Sequence, residues 1–204
     1  MNVLATLLDG IDPGRPLLPQ MAAALREDTD WRTAVTEHTA ALGDRELAAL
    51  ARHDGETPDV DPRVLTVAER DGVGLLRVNL FSRHRFDALW RAGTLSPHYH
   101  RRSFATRLVQ GSYHHLRFEN AGGQDTPRLT CVSREVLRAP GGYGIEWQEY
   151  HFVMFPADGT VTVNAHLPPA VPAKVTAPPP SPASLARLRD DILGALAAEH
   201  APAA

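Results

Sequence analysis

The hydrophobic residues follow a helical spacing in the first fifty residues and an alternating spacing after residue 63. The first part predicts helices over 16–27, 31–42 with Asp30 as N-cap, and 45–53. The second part consists of short alternating segments between turn residues, which predict β-strands over 64–67, 74–81, 84–90, 104–110, 113–119, 128–137, 144–155 and 160–166. So many short strands at regular spacing are typical of an antiparallel sandwich or barrel.

The composition and spacing of the residues change again toward the end of the chain. Residues 168–182 hold seven prolines and predict an extended tether. A helix is predicted over 184–200, because four apolar residues share one helical stripe: Leu185, Leu188, Ile192 and Leu196. We therefore expect a mainly β protein that is a single structural domain, with an N-terminal helical cap over 1–63, a β-barrel over 64–169, and a tether with a C-terminal helix over 170–204.

Composition excludes several classes of function. The 204 residues carry a formal charge of −3 and no cluster of basic residues, so nothing favours nucleic-acid binding. No apolar run approaches the roughly 18 residues that a membrane-spanning helix needs. A single cysteine, Cys131, rules out an internal disulfide and a cysteine-based zinc site, and we expect it to be a small buried residue. The N-terminus lacks the features of a signal peptide, which predicts a cytoplasmic protein.

The strongest chemical signal is a pair of histidines. His98 and His100 are two residues apart near the start of a predicted strand, so their imidazoles point to the same face. That arrangement can supply two adjacent ligands to one metal ion. In isolation it is weak, because histidines two apart also occur by chance on protein surfaces.

The surrounding sequence resembles a known superfamily. Residues 93–111, GTLSPHYHRRSFATRLVQG, resemble the first motif of the cupins, and His151 stands where the second motif has a further histidine. Within the cupins the chain is most similar to the cysteine (thiol) dioxygenase branch, because it has Leu108-Val109-Gln110-Gly111 after the pair and His151 follows His100 by 51 positions. The resemblance covers about 77–169. It implies a double-stranded β-helix, or jelly-roll, barrel with a three-histidine site for Fe(II).

The resemblance also has consequences for the chemistry. Phe104 stands where many cupins have a glutamate ligand, so the implied site has three neutral imidazoles, and a divalent ion would keep its full charge. Such an ion can bind a small anionic substrate beside O2. The implied reaction is a thiol-dioxygenase-like oxygenation of a small amino- or thiol-bearing carboxylic acid. Ligand identity alone does not select iron over Zn, Ni, Mn or Cu.

Two catalytic residues follow from the same resemblance. The family's serine–histidine–tyrosine relay maps to Thr162, Asn164 and His166, so His166 is expected to act as an acid or base, although a surface position at a strand end is an equal alternative. An arginine on an early strand holds the substrate carboxylate in the family. Arg77 is the nearest match, with Arg83 and Arg85 as alternatives.

Other polar residues surround the implied site. His114 is expected to point inward, since it shares a face with Leu116 and Phe118, and His115 is expected to face solvent. Glu146 and Glu149 precede His151, and either could orient the ring of that ligand or simply face solvent.

Two alternatives to an oxygenase stay open. The first is a non-redox isomerase, cyclase or lyase in which a metal acts as a Lewis acid. The second is a degenerate cupin that binds a small molecule without catalysis, since the missing glutamate leaves the metal site incomplete by comparison with most cupins. Because cupins commonly pair through barrel edges, a homodimer is expected.

Overall fold

The computed structural model describes residues 3–51, 61–171 and 178–198. Its N-terminal part contains α1 (Val3–Leu7), a short 3-10 turn, α2 (Leu17–Arg26), α3 (Trp31–Ala41) and α4 (Asp44–Leu50). The three predicted helices are confirmed, and the Asp30 side chain accepts a hydrogen bond from the backbone N–H of Thr33 as the predicted N-cap of α3. Residues 52 and 53, at the end of the third predicted helix, lie outside the described residues. No helix in the described part of the chain is long and apolar enough to cross a membrane.

Eight strands follow in the described residues. They are β1 (Arg63–Arg70), β2 (Gly74–Leu80), β3 (Phe104–Gln110), β4 (Ser112–Asn120), β5 (Leu129–Arg138), β6 (Gly142–Ile145), β7 (Tyr150–Met154) and β8 (Val161–His166). The segment 144–155, predicted as one strand, is instead divided between β6 and β7. All pairings are antiparallel, and they form two sheets with the strand orders β1-β2-β8-β3-β6 and β5-β4-β7.

The order of the strands defines a jelly roll. Beside β7, His98 forms an isolated antiparallel bridge with His151, which adds a short fourth strand to the smaller sheet. With that bridge included, one sheet has the order β2-β8-β3-β6, with β1 added at one edge, and the other has the order His98-β7-β4-β5. The chain alternates between these two sheets, which is the double Greek key of a jelly-roll barrel. The predicted mainly β barrel with helices before and after it is confirmed.

The two faces of the larger sheet have different character. On its outer face, residues such as Leu76, Val78, Val163 and Ala165 form one apolar core with the N- and C-terminal helices. The inner face of the same strands carries buried polar side chains, among them Asn79, Thr106, Thr162, Asn164 and His166. The main hydrophobic core therefore lies between the sheet and the helices, and the inside of the barrel is left for polar groups.

One predicted strand is wrong. Residues 84–90 belong to a helix, α5 (Arg83–Arg91), although Phe86, Ala88 and Trp90 alternate with polar residues. The Ser82 side chain caps the helix by accepting from the N–H of Arg85. Phe86 and Trp90 are also four residues apart, so their rings stack on one helical face with centroids 6.2 Å apart. The alternating pattern was therefore equally compatible with a helix.

The C-terminal helix α6 (Pro182–Ala197) packs on its own chain. Leu185, Ile192 and Leu196 from the predicted stripe are buried against α3, α4 and β1. Polar contacts fix its end, because the Arg32 guanidinium donates to the Leu196 carbonyl and the Gln110 amide donates to the Ala195 carbonyl at 2.7 Å. The homodimer stays a prediction.

Packing of α6 gives a first testable expectation. Ile192 is fully buried, so we expect Ile192→Ala to lower the free energy of unfolding by about 2–5 kcal/mol, through lost apolar burial and a residual cavity. Urea denaturation followed by circular dichroism measures this difference. The matched control is Arg187→Ala on the exposed side of the same helix, where the change should stay within about 0.5 kcal/mol. Equal effects of the two substitutions would contradict the packing of α6 described above.

Candidate metal centre

Backbone pairing brings the histidines together. His98 and His151 exchange both backbone hydrogen bonds, at 3.0 and 2.9 Å, so residues 53 positions apart in sequence lie directly opposite each other. His100 follows two residues later on the same side. One nitrogen from each of the three rings can be chosen so that all lie within 4.8 Å of one another, a group that could hold a metal ion.

Hydrogen bonds select the nitrogens that face the centre. Nδ1 of His98 lies 3.0 Å from the Ser96 carbonyl oxygen, which can only accept, so Nδ1 carries the proton and Nε2 keeps its lone pair. Nδ1 of His151 is hydrogen-bonded to the His115 side chain, so Nε2 of His151 is the nitrogen that faces His98 and His100. Nε2 of His100 lies 2.7 Å from Nε2 of His151. Three imidazole nitrogens that converge in this way fit a divalent metal ion.

Burial keeps the rings of His100 and His151 neutral, which is the form that binds a metal. Burial, together with the charges of His98 and Arg77, lowers the pKa of His100 to about 3. Burial and the neighbouring histidines lower the pKa of His151 well below its usual range. His98 is the exposed member of the group, and His151 is the buried one.

His115 is a site residue that the sequence analysis placed on the wrong face. Its Nε2 lies 3.1 Å from Nδ1 of His151, and the side chain is 2% exposed. Its ring stacks on Tyr143, with centroids 3.9 Å apart. Burial, with the charge of Arg117, lowers the pKa of His115 to about 4. A neutral histidine held in this way can fix the tautomer and orientation of His151.

His114 occupies the opposite face of β4, which corrects the prediction that it points inward. Its Nδ1 lies 3.1 Å from the Arg134 guanidinium, and its ring meets the edge of Phe155 on the outside of the barrel. The prediction failed because Leu116 and Phe118 were assumed to mark the inner face. In this barrel the inner face of β4 carries Tyr113 and His115, and the outer face carries Leu116 and Phe118 beside His114.

Three further expectations have different outcomes. The Glu146 carboxylate accepts from the Ser103 hydroxyl at 2.6 Å, and Glu149 accepts from the Arg117 guanidinium at 2.8 Å. Neither has a hydrogen bond to His151, whose Nδ1 is taken by His115 instead. Cys131 is exposed on β5 rather than buried.

His166 lies behind the ring of Phe104, and Arg77 lies on the neighbouring strand β2. That ring contacts His100 on one side, with centroids 4.8 Å apart, and is stacked on His166 at 5.0 Å. His166 is 7% exposed, so the alternative of a surface position at the strand end is wrong. The Arg77 guanidinium donates to the Thr66 hydroxyl. Burial is the main cause that lowers the pKa of His166, and the charge of Arg77 lowers it further.

The two alternative arginines belong to α5. The Arg83 side chain pairs with Asp87 at 2.9 Å and lies over the ring of Phe155. Arg85 begins the helix beside Ser82, and its charge acts on Asp61. Neither arginine is among the described residues that line the cavity beside the three histidines.

The three histidines open into a cavity of about 350 Å³. Its walls consist mainly of aromatic and small polar side chains from both sheets, α5 and the loop before β3: Asn79, Phe81, Phe86, Thr94, Leu95, Ser96, Phe104, Tyr113, Tyr143, Phe152, Val153, Thr162 and Asn164. Asp61 and Pro62 complete the lining. Burial raises the pKa of Asp61 to about 6, although its carboxylate accepts a hydrogen bond from the Ser82 N–H at 2.9 Å. A volume of this size accommodates a small organic molecule.

Comparisons with known proteins support no closer assignment. No protein-family model and no curated protein matches the chain. Similar solved structures include an oxalate oxidase in complex with glycolate, at 16% identity and TM-score 0.37, covering 69% of this chain and 76% of that one. A hydroxypropylphosphonic acid epoxidase from S. wedmorenis is 12% identical, with TM-score 0.33 and coverage of 81% and 98%. A hydroquinone 1,2-dioxygenase with Cd²⁺ is 8% identical, with TM-score 0.36 and coverage of 50% and 62%. At these values the likenesses carry nothing for the activity.

Proposed function

We propose that the chain is a mononuclear metal-dependent enzyme that acts on a small molecule in the barrel cavity. The observation that carries this proposal is the convergence of His98, His100 and His151 at the wall of that cavity. The tautomer inferred for His98 leaves a lone pair on its Nε2, and the contact of His151 Nδ1 with His115 leaves Nε2 of His151 facing the other two ligands. A chance surface pair would not be joined by a third histidine that is itself buried and hydrogen-bonded.

The residues around the ligands support the same proposal. His115 holds His151 through its outer nitrogen, which is how metal-ligating histidines are commonly oriented. The charge of Arg77 opposes protonation of both His100 and His166. Arg77 therefore helps to keep neutral rings beside Phe104, and His166 stays a proposed acid or base.

Within this class we propose a thiol-dioxygenase-like oxygenase that uses Fe(II). The three neutral ligands would leave the ion its full double charge and open positions, so the metal would supply binding and activation of O2 and of a small anionic group. The resemblance in sequence supports the oxygenase assignment. A substrate carboxylate held by Arg77 is less well supported, because no arginine or lysine is among the described residues that line the cavity.

A Lewis-acid enzyme is the second proposal. Three imidazoles are also a good ligand set for Zn, Ni or Cu, and Mn is a further option, so the donor set itself favours no redox metal. Such an enzyme would catalyse isomerisation, cyclisation or elimination without consuming oxygen.

Oxygen uptake separates the two proposals. The purified chain is loaded anaerobically with one equivalent of Fe(II) and mixed with thiols, amines and phenols in an oxygen-electrode cell. The oxygenase proposal expects oxygen consumption that depends on one substrate and is absent in His98→Ala. A matched control is His114→Ala, which removes a histidine from the outside of the barrel and should retain the uptake. Turnover without oxygen consumption would move the assignment to the Lewis-acid enzyme, and metal-free protein after loading would contradict both.

A further inference from the structure

No lysine or arginine is among the described residues that line the cavity. Apart from the three histidines, the titratable residues among its described lining are Asp61, Tyr113 and Tyr143. The positive charges of Arg85 and Arg63 act on the Asp61 carboxylate, and neither arginine is among the described lining residues. Arg63 is further paired with Asp191. Within this described lining, a ligand would meet one carboxylate and, apart from a bound metal, no cationic group.

Aromatic side chains are the largest group in the rest of the described wall. Phe81, Phe86, Phe104 and Phe152 line the cavity together with the two tyrosines. The rings of Phe81 and Tyr113 are in contact, with centroids 5.4 Å apart and an angle of 45° between them. Such a surface gains binding energy by burying apolar area, and it provides no compensation for a second charge.

Apart from Asp61 and the histidines, the polar side chains of the described wall are uncharged amides and hydroxyls. The Thr162 hydroxyl donates to the side-chain amide oxygen of Asn164 at 3.1 Å within the wall. Asn79 is 5% exposed and lines the cavity, and its carbonyl oxygen has no hydrogen-bond partner among the described residues. Amides and hydroxyls can pair with an uncharged polar group, but they do not neutralise a carboxylate removed from water.

We propose that the ligand has a single anionic head group, such as a thiolate or phenolate, that coordinates the metal, and an uncharged tail of about the size of one aromatic ring. This inference rests on the proposed metal-dependent function and specifies its substrate class. It replaces the carboxylic acid implied by the sequence resemblance. The discrimination comes from two features together, the aromatic rings that favour an uncharged ring and the Asp61 carboxylate in the cavity wall that repels a tail carboxylate.

Two thiols with the same head group test the tail. The full chain is loaded with one equivalent of Co(II), and the visible absorption of the ion reports binding of 2-phenylethanethiol or 3-mercaptopropionate without turnover. We expect 2-phenylethanethiol to bind at least about tenfold more tightly, because burial of a phenyl-sized group exceeds one factor of ten in affinity. Asp61→Asn should reduce that ratio by at least about threefold, the size of one screened charge contact. Asp190→Asn, on the exposed side of α6, is the matched control and should leave the ratio unchanged.

The contrary outcomes are distinct. Tighter binding of 3-mercaptopropionate, weakened by Arg77→Gln, would overturn the inference and favour an arginine anchor. A ratio that does not respond to Asp61→Asn would remove the charge argument and overturn the inference as stated. If Co(II) loads and neither thiol changes the spectrum, the ligand class is wrong while the metal site stands. If Co(II) does not load, the proposed function itself fails.

Discussion

His151→Ala is expected to abolish stabilisation of the protein by divalent metal. Binding to the folded state alone at one hundred times the dissociation constant stabilises a protein by about 2.7 kcal/mol, which raises the Tm of a chain of this size by roughly 5–10 °C. His151 supplies the buried ligand, and two imidazoles without it would retain little affinity. Differential scanning calorimetry with and without Co(II) or Zn(II) measures the shift.

The control for this substitution is His114→Ala. His114 is close to His151 in the sheet but lies on the outer face of β4, where it contacts Arg134 and Phe155. Its metal-induced shift should equal that of the wild-type protein. A shift retained in His151→Ala and lost in His114→Ala would place the metal outside the barrel.

The second large effect is expected at a residue that never touches the metal. His115→Phe should weaken metal binding by about 10–100-fold, since partners that orient a ligating histidine typically contribute that much. The phenyl ring keeps the stacking on Tyr143 and removes only the hydrogen bond to Nδ1 of His151. Competition with a chromophoric chelator gives the dissociation constant.

A conservative variant separates orientation from packing. In His115→Gln the amide can again bond to Nδ1 of His151, so part of the lost affinity should return, although the stacking on Tyr143 is lost. A merely structural role for His115 predicts the opposite order, with Phe close to wild type and Gln worse. That order would contradict the positioning role.

The strands and the three histidines could be predicted because their signals are local. Alternation marks β3 and β8 within a residue of their observed ends, and the spacing of His98 and His100 already places their rings on one face. The prediction that His151 is the third ligand rests on the resemblance to a family motif. Its physical basis, the backbone bridge to His98, is non-local and invisible in the sequence.

The errors share a physical origin in the barrel. The usual rule that apolar residues face inward fails when the barrel interior holds a cavity with polar walls and the main core lies outside the sheet, against the helices. For that reason His115 was assigned to solvent and His114 to the interior. The helix α5 was missed for a different reason, because the spacing of Phe86 and Trp90 fits both periods.

The metal content of the untagged chain, purified without added metal, tests the central claim most directly. Elemental analysis of the wild-type protein and His98→Ala is compared after identical purification, with anaerobic Fe(II) loading as a second arm. The account predicts about one metal ion per wild-type chain after loading, and a large loss in the variant. Equal content in the two proteins, or none in either after loading, would contradict a metal centre built from His98, His100 and His151.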